Sequence, residues 1–388
     1  MMPYYMVTGM FRSGTTLLAR MLHANPNIIC ASDPYAPIFK SYRNNHIKNI
    51  GLDLCADAPL HDYYFDVEQQ KLFDEIKNSD FDLAFDIVSI TELRRKIKVH
   101  CKPYSPMIHN FIELLDGSSY AEIFRSGLKV IEKSYGKSDC NVIGFKDVWV
   151  GEFAQHFLKL GNNAKVIHLV RDPRSVIASN FASGSRYPLL FLARQWRKLA
   201  SIAWLDNSNS DRVKLIRFED LLASPTEVAK DICSFLEVNY SGDMVDPQKY
   251  KDGQGRPWHQ NTSYKSNESD NGGRVFNLTA INKWNRTLSN ETLGLIGKLC
   301  APEMELLGYE NGLNSNLDPF LNIDYKDNLS FLADWIRPYS NYNNFNEIAT
   351  ESARYRLLNS DTKISDKVKK SLALDVDVYD KLVSMSRN

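Results

Sequence analysis

The 388-residue chain lacks an excess of charge of either sign, because 47 Lys and Arg residues balance 47 Asp and Glu residues. A net charge of zero provides no basic excess of the kind that binds nucleic acid or an acidic membrane surface. The sequence also lacks an apolar run long enough to span a bilayer, and it has no signal-peptide pattern. We therefore expect neither a nucleic acid nor a membrane among its partners.

Cysteine is sparse as well, with six residues scattered along the chain and no Cys-x-x-Cys pair. This spacing argues against a metal site and against a disulfide framework, so we expect buried thiols in a reducing compartment. Hydrophobic residues make up 43% of the chain, which is enough for a full core. A chain of this length can form one large domain, or a domain with an appendage.

A glycine-containing segment near residue 10 lies between a strand pattern and a helix pattern. Residues 4–7 form a short apolar run that predicts a buried strand, and apolar residues at 17, 18, 21 and 22 predict one face of a helix. Between them, Gly9 and Gly14 allow a tight turn whose N–H groups, together with the helix dipole, favour an anion. Thr15 and Thr16 add hydroxyl donors, and the segment therefore predicts a phosphate-binding loop.

This loop differs from a Walker A loop at one decisive position. Gly9 and Gly14 keep the Walker spacing, but Thr15 stands where that motif requires a lysine. A cation occurs earlier instead, at Arg12. The substitution argues against hydrolysis of a magnesium nucleotide and favours an anionic donor that is held without the Walker lysine.

A second strand pattern, at residues 164–170, leads directly into Arg171-Asp172-Pro173-Arg174. Asp172 is suited to the N-cap of a following helix and Pro173 to its first position. Arg171 and Ser179 can then both reach an anion that is bound at the start of this helix. A helix start with a solvated charge is the alternative interpretation of the same residues.

The two segments together resemble known motifs of sulfotransferases that use PAPS (3′-phosphoadenosine 5′-phosphosulfate). The Arg-Ser-Gly-Thr-Thr-Leu-Leu run at 12–18 resembles the 5′-phosphosulfate loop of the tyrosylprotein, carbohydrate and bacterial branches, and the unit around Arg171 resembles the 3′-phosphate motif. The resemblance covers about residues 4–310. It implies in-line transfer of a sulfo group to a hydroxyl or amine without a metal, with release of adenosine 3′,5′-bisphosphate. The cofactor-binding residues that it implies are Arg12, Ser13, Gly14, Thr15, Thr16, Leu17, Arg171 and Ser179.

The same resemblance suggests catalytic residues: Arg12, Lys146 and Asp33. Lys146 follows the strand predicted at 141–145, where family members have a lysine that contacts the transferring sulfo group, and Arg12 supplies a second cation. Asp33 occupies the position of a general base that is typically Glu, and it is one methylene shorter. Asp-Pro is also a common turn, so a helix cap is the alternative. The base could instead be one of the histidines of the acceptor region, which are His61, His100 and His109.

Three further cofactor contacts are suggested by weaker similarities. Phe218 replaces the Tyr of a Tyr-Glu-Asp-Leu strand, so a hydroxyl contact there is lost. Arg274 lies ten residues before Trp284, where family members often have a lysine that closes over the bisphosphate. Ser263 is a candidate donor on the sulfo side. A polar surface loop is the alternative for these segments.

The alternation of strands and helices predicts a parallel α/β sheet flanked by helices, like that of P-loop NTPases, with ligands at the carboxyl ends of the strands. We predict a sulfotransferase domain at 1–310, in which 34–140 forms a helical acceptor side with helices at 65–77, 90–99 and 119–134. A strand is predicted at 213–218 and helices at 225–236 and 278–307. Residues 311–388 are predicted to form a helical C-terminal extension, with one helical piece near 364–383, that serves dimerisation, acceptor-site cover or docking.

The acceptor cannot be chosen from the sequence: a small molecule, a glycan, a carrier-bound acyl chain or a peptide all fit, and a homodimer is left open. Secretory sulfotransferases usually carry an N-terminal anchor, which this sequence lacks, so we expect a cytoplasmic, bacterial enzyme. The alternative functions are a P-loop nucleotide or small-molecule kinase and a catalytically dead nucleotide-binding module. The missing Walker lysine counts against the kinase, and the intact loop counts against the dead module.

Overall fold

Five parallel strands form the central sheet of the protein. The computed structural model describes residues 2–52, 67–183, 187, 189–258, 260–261, 264–265, 275–310 and 344–386. The strands are β1 (Tyr4–Gly9), β2 (Ile28–Ser32), β3 (Val142–Lys146), β4 (Ala164–Val170) and β5 (Val213–Arg217), in the spatial order β2-β3-β1-β4-β5. The first three are buried along their whole length, as expected of a parallel sheet that is covered on both faces.

Helices cover both faces of this sheet, and the predicted P-loop NTPase-like α/β fold is confirmed. The described part of the acceptor region contains four α-helices, which confirms its predicted helical character. The helices are α1 (Thr15–Ala24), α2 (Ala36–Asn49), α3 (Val67–Lys77), α4 (Ile90–Cys101), α5 (Tyr120–Tyr135), α6 (Ala154–Lys159), α7 (Pro173–Ser183), α8 (Leu189–Asn209), α9 (Phe218–Ala223), α10 (Pro225–Leu236), α11 (Trp284–Thr287), α12 (Asn290–Leu306), α13 (Asn344–Leu358), α14 (Asp366–Ala373) and α15 (Val376–Ser386). The chain also contains a 3₁₀ helix, Pro106–Leu114, and an antiparallel pair of short strands, β6 (Gln260–Asn261) and β7 (Tyr264–Lys265).

Alternate residues of each strand belong to two separate apolar cores. Tyr4 and Met6 lie in the core beneath α2 and α5, whereas Tyr5 and Val7 lie in the core beneath α1 and α10. This is the two-residue period of a strand, and burial on both sides explains the apolar run at residues 4–7 of β1. The burial of both strand faces fixes the register, because a slip by one residue would exchange the two cores.

The register brings the ends of β2 and β3 to the same level, two residues before β1 ends at Gly9. Lys146, the last residue of β3, pairs with Ser32 on one side and with Val7 on the other. β4 and β5 end together at Val170 and Arg217. The residues that follow these strands therefore meet along one edge of the sheet.

The C-terminal helices pack on the rest of the chain through apolar and charged contacts. Leu358, Leu372 and Tyr379 share a small core with Trp204 and Leu306. In addition, the buried carboxylate of Glu351 accepts hydrogen bonds from Arg194 and Arg197 of α8. The division of the chain at residue 310 stays a prediction from the sequence.

Some predicted elements differ from the structure where a turn interrupts a continuous pattern. The helix predicted over 278–307 is a 3₁₀ turn at Leu278–Ala280 followed by α11 and α12. The helix predicted over 364–383 is divided into α14 and α15 because Leu374 has a φ of 71°. No α-helix in the described part of the chain has both the length and the apolar character that a membrane span needs.

Candidate active site

The carboxyl edge of the sheet contains unusual backbone conformations. Five described residues other than glycine have positive φ, and three of them lie at this edge: Arg12 (67°), Asp33 (46°) and Trp149 (69°). They follow β1, β2 and β3 respectively. Such conformations cost about 1–3 kcal/mol each and persist where the surrounding structure holds them in place. This edge is therefore a place where packing imposes the backbone conformation.

The phosphate loop between β1 and α1 has the geometry of an anion site. Ser13 N donates to Met10 O at 3.1 Å, which closes the turn, and Gly14 begins the helix with a φ of 89°. The N-cap residue has no side chain, so the N–H groups of the first helical turn have no side-chain cap and point towards the loop. The buried hydroxyl of Ser13 has no hydrogen-bond partner among the described residues. These donors together suit a phosphate group.

Phe218 lies beneath both predicted phosphate motifs. A Cβ atom added to Gly14 would lie 2.2 Å from the Phe218 ring, and the Arg171 guanidinium carbon lies 4.5 Å from the ring centroid. The sequence pattern predicts Phe218 as the last residue of a strand. In the structure it is instead the first residue of helix α9. Its ring therefore supports the loop and Arg171 at once, and a direct contact with the cofactor stays a prediction.

The two motifs are in direct contact although about 160 residues separate them. Arg12 Nε donates to Ser179 Oγ at 2.9 Å, and Arg171 Nη1 donates to Arg12 O at 3.0 Å. Arg171 also donates to Ala280 O at 3.1 Å, and its Nε has no hydrogen-bond partner among the described residues. Burial lowers the pKa of Arg171 to about 10, so the guanidinium stays charged at neutral pH.

Asp33 and Lys146 form an ion pair at the ends of β2 and β3. Lys146 Nζ contacts Asp33 Oδ2, and Asp33 N donates to Lys146 O. The lysine is 2% exposed and the aspartate 9%. The register explains the pairing, because Ser32 is opposite Lys146 and Asp33 is the next residue. The predicted base and the predicted cation therefore face each other in a site that is largely shielded from water.

One of the three candidate histidines, His100, lies close enough to Asp33 and Lys146 for their charges to change its pKa. Burial lowers the pKa of His100, while the charge of Asp33 raises it and that of Lys146 lowers it further. His100 Nε2 is buried without a hydrogen-bond partner among the described residues, so a neutral ring could accept a proton there. His109, which lies on the 3₁₀ helix, instead contacts Lys98 O of α4 at 2.9 Å. His61 lies outside the described residues.

Aromatic side chains stand next to the charged residues of the site. Phe11, which precedes Arg12, stacks on Trp149 with 5.8 Å between ring centroids and meets Tyr187 edge-on at 5.2 Å. Tyr104 is 45% exposed, and both burial and the charge of Asp33 raise its pKa. The charge of Tyr104 in turn contributes to a raised pKa of Tyr187, after burial. We call Phe11, Tyr104, Trp149 and Tyr187 the aromatic wall.

The sequence interpretation missed Asp147, which directly follows Lys146 and is 1% exposed. A carboxylate next to the predicted catalytic lysine is a signal that could have revealed it, because two charged residues at the end of a buried strand are unusual. Ser263 and Arg274 lie outside the described residues and stay predictions. Within the described ranges, no group of three metal-ligating side chains occurs.

Family models match most of the chain. A model described as "Sulfotransferase family" matches residues 3–242, and one described as "Sulfotransferase domain" matches residues 192–308. Carbohydrate sulfotransferase 3 of Tetronarce californica is 24% identical over 176 residues, which are 38% of this chain and 36% of that protein. The match thus spans about a third of the length of this relative.

Solved structures with similar folds have low sequence identity to this chain. The sulfotransferase domain of the Synechococcus PCC 7002 olefin synthase is 19% identical, with a TM-score of 0.45 over 79% of this chain and 95% of that one. The sulfotransferase domain from the curacin biosynthetic pathway is 19% identical, with a TM-score of 0.44 over 80% of this chain and 99% of that one.

Proposed function

The chain belongs to the sulfotransferase family, and we propose that it transfers a sulfo group from PAPS to a hydroxyl or amine acceptor, releasing adenosine 3′,5′-bisphosphate. The observation that carries the proposal is the contact between the two phosphate motifs beside an ion pair. Arg12 meets Ser179, Arg171 meets the backbone of Arg12, and Asp33 faces Lys146. Two anion sites next to a carboxylate and an ammonium group suit a donor with two phosphate positions.

The residues at this edge fit PAPS without a metal. PAPS supplies an activated sulfo group on a bisphosphate leaving group, so the protein must bind two anionic centres. The open N-terminus of α1 and the Ser13 hydroxyl, which has no partner among the described residues, suit the 5′-phosphosulfate end. Arg171 and Ser179 suit the 3′-phosphate, since a guanidinium group and a hydroxyl both donate to phosphate oxygens. Leu17, Ser263, Phe218 and Arg274 stay in the proposed binding set from the sequence.

The protein's own residues have separate roles in the transfer. Asp33 is the proposed base that takes the proton from the acceptor. Lys146 and Arg12 stabilise the charge that develops between the transferring group and the leaving oxygen. The low exposure of Lys146 strengthens this effect, because little water screens its charge. His100 is the second candidate for the base, since it lies near the same pair.

The aromatic wall indicates the chemistry of the acceptor next to its nucleophilic hydroxyl or amine. Ring faces favour flat apolar groups over anions, because the negative face of the ring repels negative charge. We therefore propose an acceptor whose hydroxyl or amine adjoins an aromatic or apolar group. A screen of phenols, apolar alcohols and anionic glycans with PAPS tests this, and turnover of anionic glycans alone would contradict it. A cytoplasmic location, a bacterial source and a homodimer stay predictions from the sequence.

The first experiment is calorimetric titration with adenosine 3′,5′-bisphosphate and, separately, with ADP and Mg²⁺. We expect binding of the bisphosphate without metal and much weaker binding of ADP. Arg171→Ala should weaken bisphosphate binding by at least about tenfold, which is the loss of one or two charge-assisted hydrogen bonds. Preference for ADP with Mg²⁺ would favour the kinase, and binding of neither ligand would contradict the proposal.

Asp33→Asn separates an active enzyme from a dead module. We expect this variant to lose turnover by about 10²-fold or more, as for loss of a general base, while it still binds the bisphosphate. A wild-type protein that binds the bisphosphate but turns over no acceptor would favour the dead module. Full turnover by Asp33→Asn would exclude Asp33 as the base and leave His100 as the next candidate.

A further inference from the structure

Asp147 is buried at the junction of three elements of the proposed site. It directly follows β3, and its N–H donates to Val7 O of β1 at 3.1 Å. This bond extends the β3–β1 pairing one residue beyond Lys146, so the Asp147 backbone is fixed in the sheet. The side chain, which is 1% exposed, therefore has a fixed origin close to β2 and α2.

The Asp147 carboxylate caps helix α2 from a different part of the chain. Its Oδ2 accepts a hydrogen bond from Tyr35 N at 2.9 Å, and the backbone N–H of Ala36 lowers the pKa of the carboxylate. Tyr35 is the N-cap residue of α2, and its own side chain makes no capping bond. The N-terminus of a helix favours a negative charge and needs acceptors for its first N–H groups. Asp147 supplies both.

The segment that Asp147 holds begins with the proposed base. Asp33 is two residues before Tyr35, and its φ of 46° is unfavourable for a residue with a side chain. Lys146 contacts the Asp33 carboxylate and accepts from its N–H, while Asp147 accepts from Tyr35. Lys146, the last residue of β3, and Asp147, the next residue, thus hold both ends of the turn that carries Asp33.

One oxygen of Asp147 makes no bond within the described residues. Oδ1 is buried without a partner, which leaves a polar atom inside the site. Burial raises the pKa of Asp147, and the charge of Asp33 raises it further. Other titratable and charged groups interact with Asp33 or Asp147 from several elements. They are Lys146 on β3, Arg20 on α1, Tyr35 before α2, His100 and Cys101 on α4, and Tyr104 after α4.

We propose that Asp147 is a positioning residue that caps α2 and thereby holds Asp33 opposite Lys146 in the geometry needed for proton transfer. The proposal rests on the proposed function, because it takes Asp33 as the base. It assigns no contact with substrate to Asp147. Loss of the cap should leave the phosphate sites intact, since these lie on the loop at 10–14 and at Arg171.

Two variants separate the capping bond from the charge. Asp147→Asn keeps an oxygen that can accept from Tyr35 N, whereas Asp147→Ala removes the acceptor. We expect Asp147→Ala to lower kcat by about tenfold or more with the KM for PAPS unchanged, as for a misplaced catalytic group. Asp147→Asn should keep kcat within about threefold at the pH optimum. Its acidic limb should shift to lower pH, because a like charge near the base has been removed.

A matched control removes a helix cap elsewhere. Ser119 caps α5 by accepting from Glu122 N, so Ser119→Ala should cost stability without changing kcat or the pH profile. Hydrogen exchange at the amides of residues 35 and 36 gives a readout that is independent of turnover. It should accelerate in Asp147→Ala and stay near the wild-type rate in Asp147→Asn.

The proposal is overturned if Asp147→Ala, like Ser119→Ala, loses stability but keeps kcat and its pH profile. It is also overturned if exchange at residues 35 and 36 is unchanged in Asp147→Ala. Failure of the proposed function gives a different result: the wild-type protein would transfer no sulfo group from PAPS, while the exchange measurement would still report the cap.

Discussion

Individual residues of the phosphate loop are constrained by conformation and by packing at the same time. Gly14 shows both constraints, with a φ of 89° and the Phe218 ring where a Cβ atom would lie. Gly9 shows the second constraint, because a Cβ there would lie 2.3 Å from the carbonyl oxygen of Leu169 on β4. The glycine spacing that is visible in the sequence thus reflects two close approaches of other chain segments.

A comparison of two glycine substitutions separates these constraints. Gly51 has a φ of 65° and no atom within 4 Å of an added Cβ, so Gly51→Ala should cost only the conformational strain, about 1–2 kcal/mol. Gly14→Ala should cost more free energy of unfolding, because the Phe218 ring must move. It should also weaken bisphosphate binding by about tenfold, because Arg171 stacks on that ring.

Urea unfolding and calorimetry on both variants measure these effects. Equal losses of stability in Gly14→Ala and Gly51→Ala, with unchanged bisphosphate binding in both, would contradict a packing role for Phe218. The distinction matters for function, since it tells whether the ring transmits a change from one phosphate motif to the other.

At the scale of elements, helix α13 is attached to α8 by buried charges. Glu351 Oε1 lies 2.6 Å from Arg194 Nε and 2.8 Å from Arg197 Nη2, and all three side chains are at most 3% exposed. Burial alone would raise the pKa of Glu351, but the charges of Arg197 and Arg194 outweigh it and lower the pKa. The pairing therefore requires an ionised carboxylate in a buried region.

Substitution of this carboxylate should be costly. We expect Glu351→Gln to lower the free energy of unfolding by about 3–5 kcal/mol, as measured for other buried ion pairs that lose one partner. Urea unfolding at neutral pH measures the loss. Glu227→Gln is the control, because Glu227 forms an exposed pair with Lys230 and its loss should have no measurable effect. If Glu351→Gln, like Glu227→Gln, had no measurable effect on the free energy of unfolding, α13 would contribute little to the stability of the fold.

At the scale of the whole molecule, buried histidines make the fold sensitive to acid. Burial lowers the pKa of His23, His46, His100 and His156. For His156, burial lowers the pKa from 6.5 to about 4, and the hydrogen bond between its Nε2 and Ile76 O at 2.6 Å offsets this only in part. Its Nδ1 is buried without a partner among the described residues. Protonation of Nδ1 would place an unsatisfied charge in the core.

The sign of this effect follows from proton binding. Above pH 6.5 His156 is neutral in both states and contributes no pH dependence. Between pH 6.5 and about 4 the unfolded chain binds the proton and the folded chain does not, so stability falls as the pH falls. The loss that this residue contributes by pH 5 is about 2 kcal/mol.

The difference between wild-type protein and His156→Gln isolates this contribution from that of other titrating groups. Urea unfolding at pH 8, 6.5 and 5 should show that the wild type loses about 2 kcal/mol more than the variant. The glutamine amide can still donate to Ile76 O, which keeps the contact. Parallel pH dependences for the two proteins would mean that His156 titrates normally in the folded state.

The sequence predicted the helices and strands whose formation depends on residues that are close together along the chain. The apolar pattern at 164–170 and the cap signals at 172 and 173 correspond to β4 and the start of α7, and Pro225–Leu236 is the helix that was predicted. Predictions failed where one conformation interrupts a continuous pattern, as at Leu374. They also failed for Phe218, because a residue at the end of a strand and one at the start of a helix look alike without the packing that distinguishes them.

The sequence by itself determined the family, the α/β character and two loops suited to phosphate, because these depend on residue type and on short-range spacing. Only the tertiary structure decided which residues meet. The order of the strands places Asp33 opposite Lys146, brings Arg12 to Ser179 and puts Asp147 at the N-terminus of α2, while His100 lies near Asp33 and Lys146. The physical reason is that these partners are separated by about 67 to 170 residues, and the register of a buried sheet, which no local pattern encodes, fixes them together.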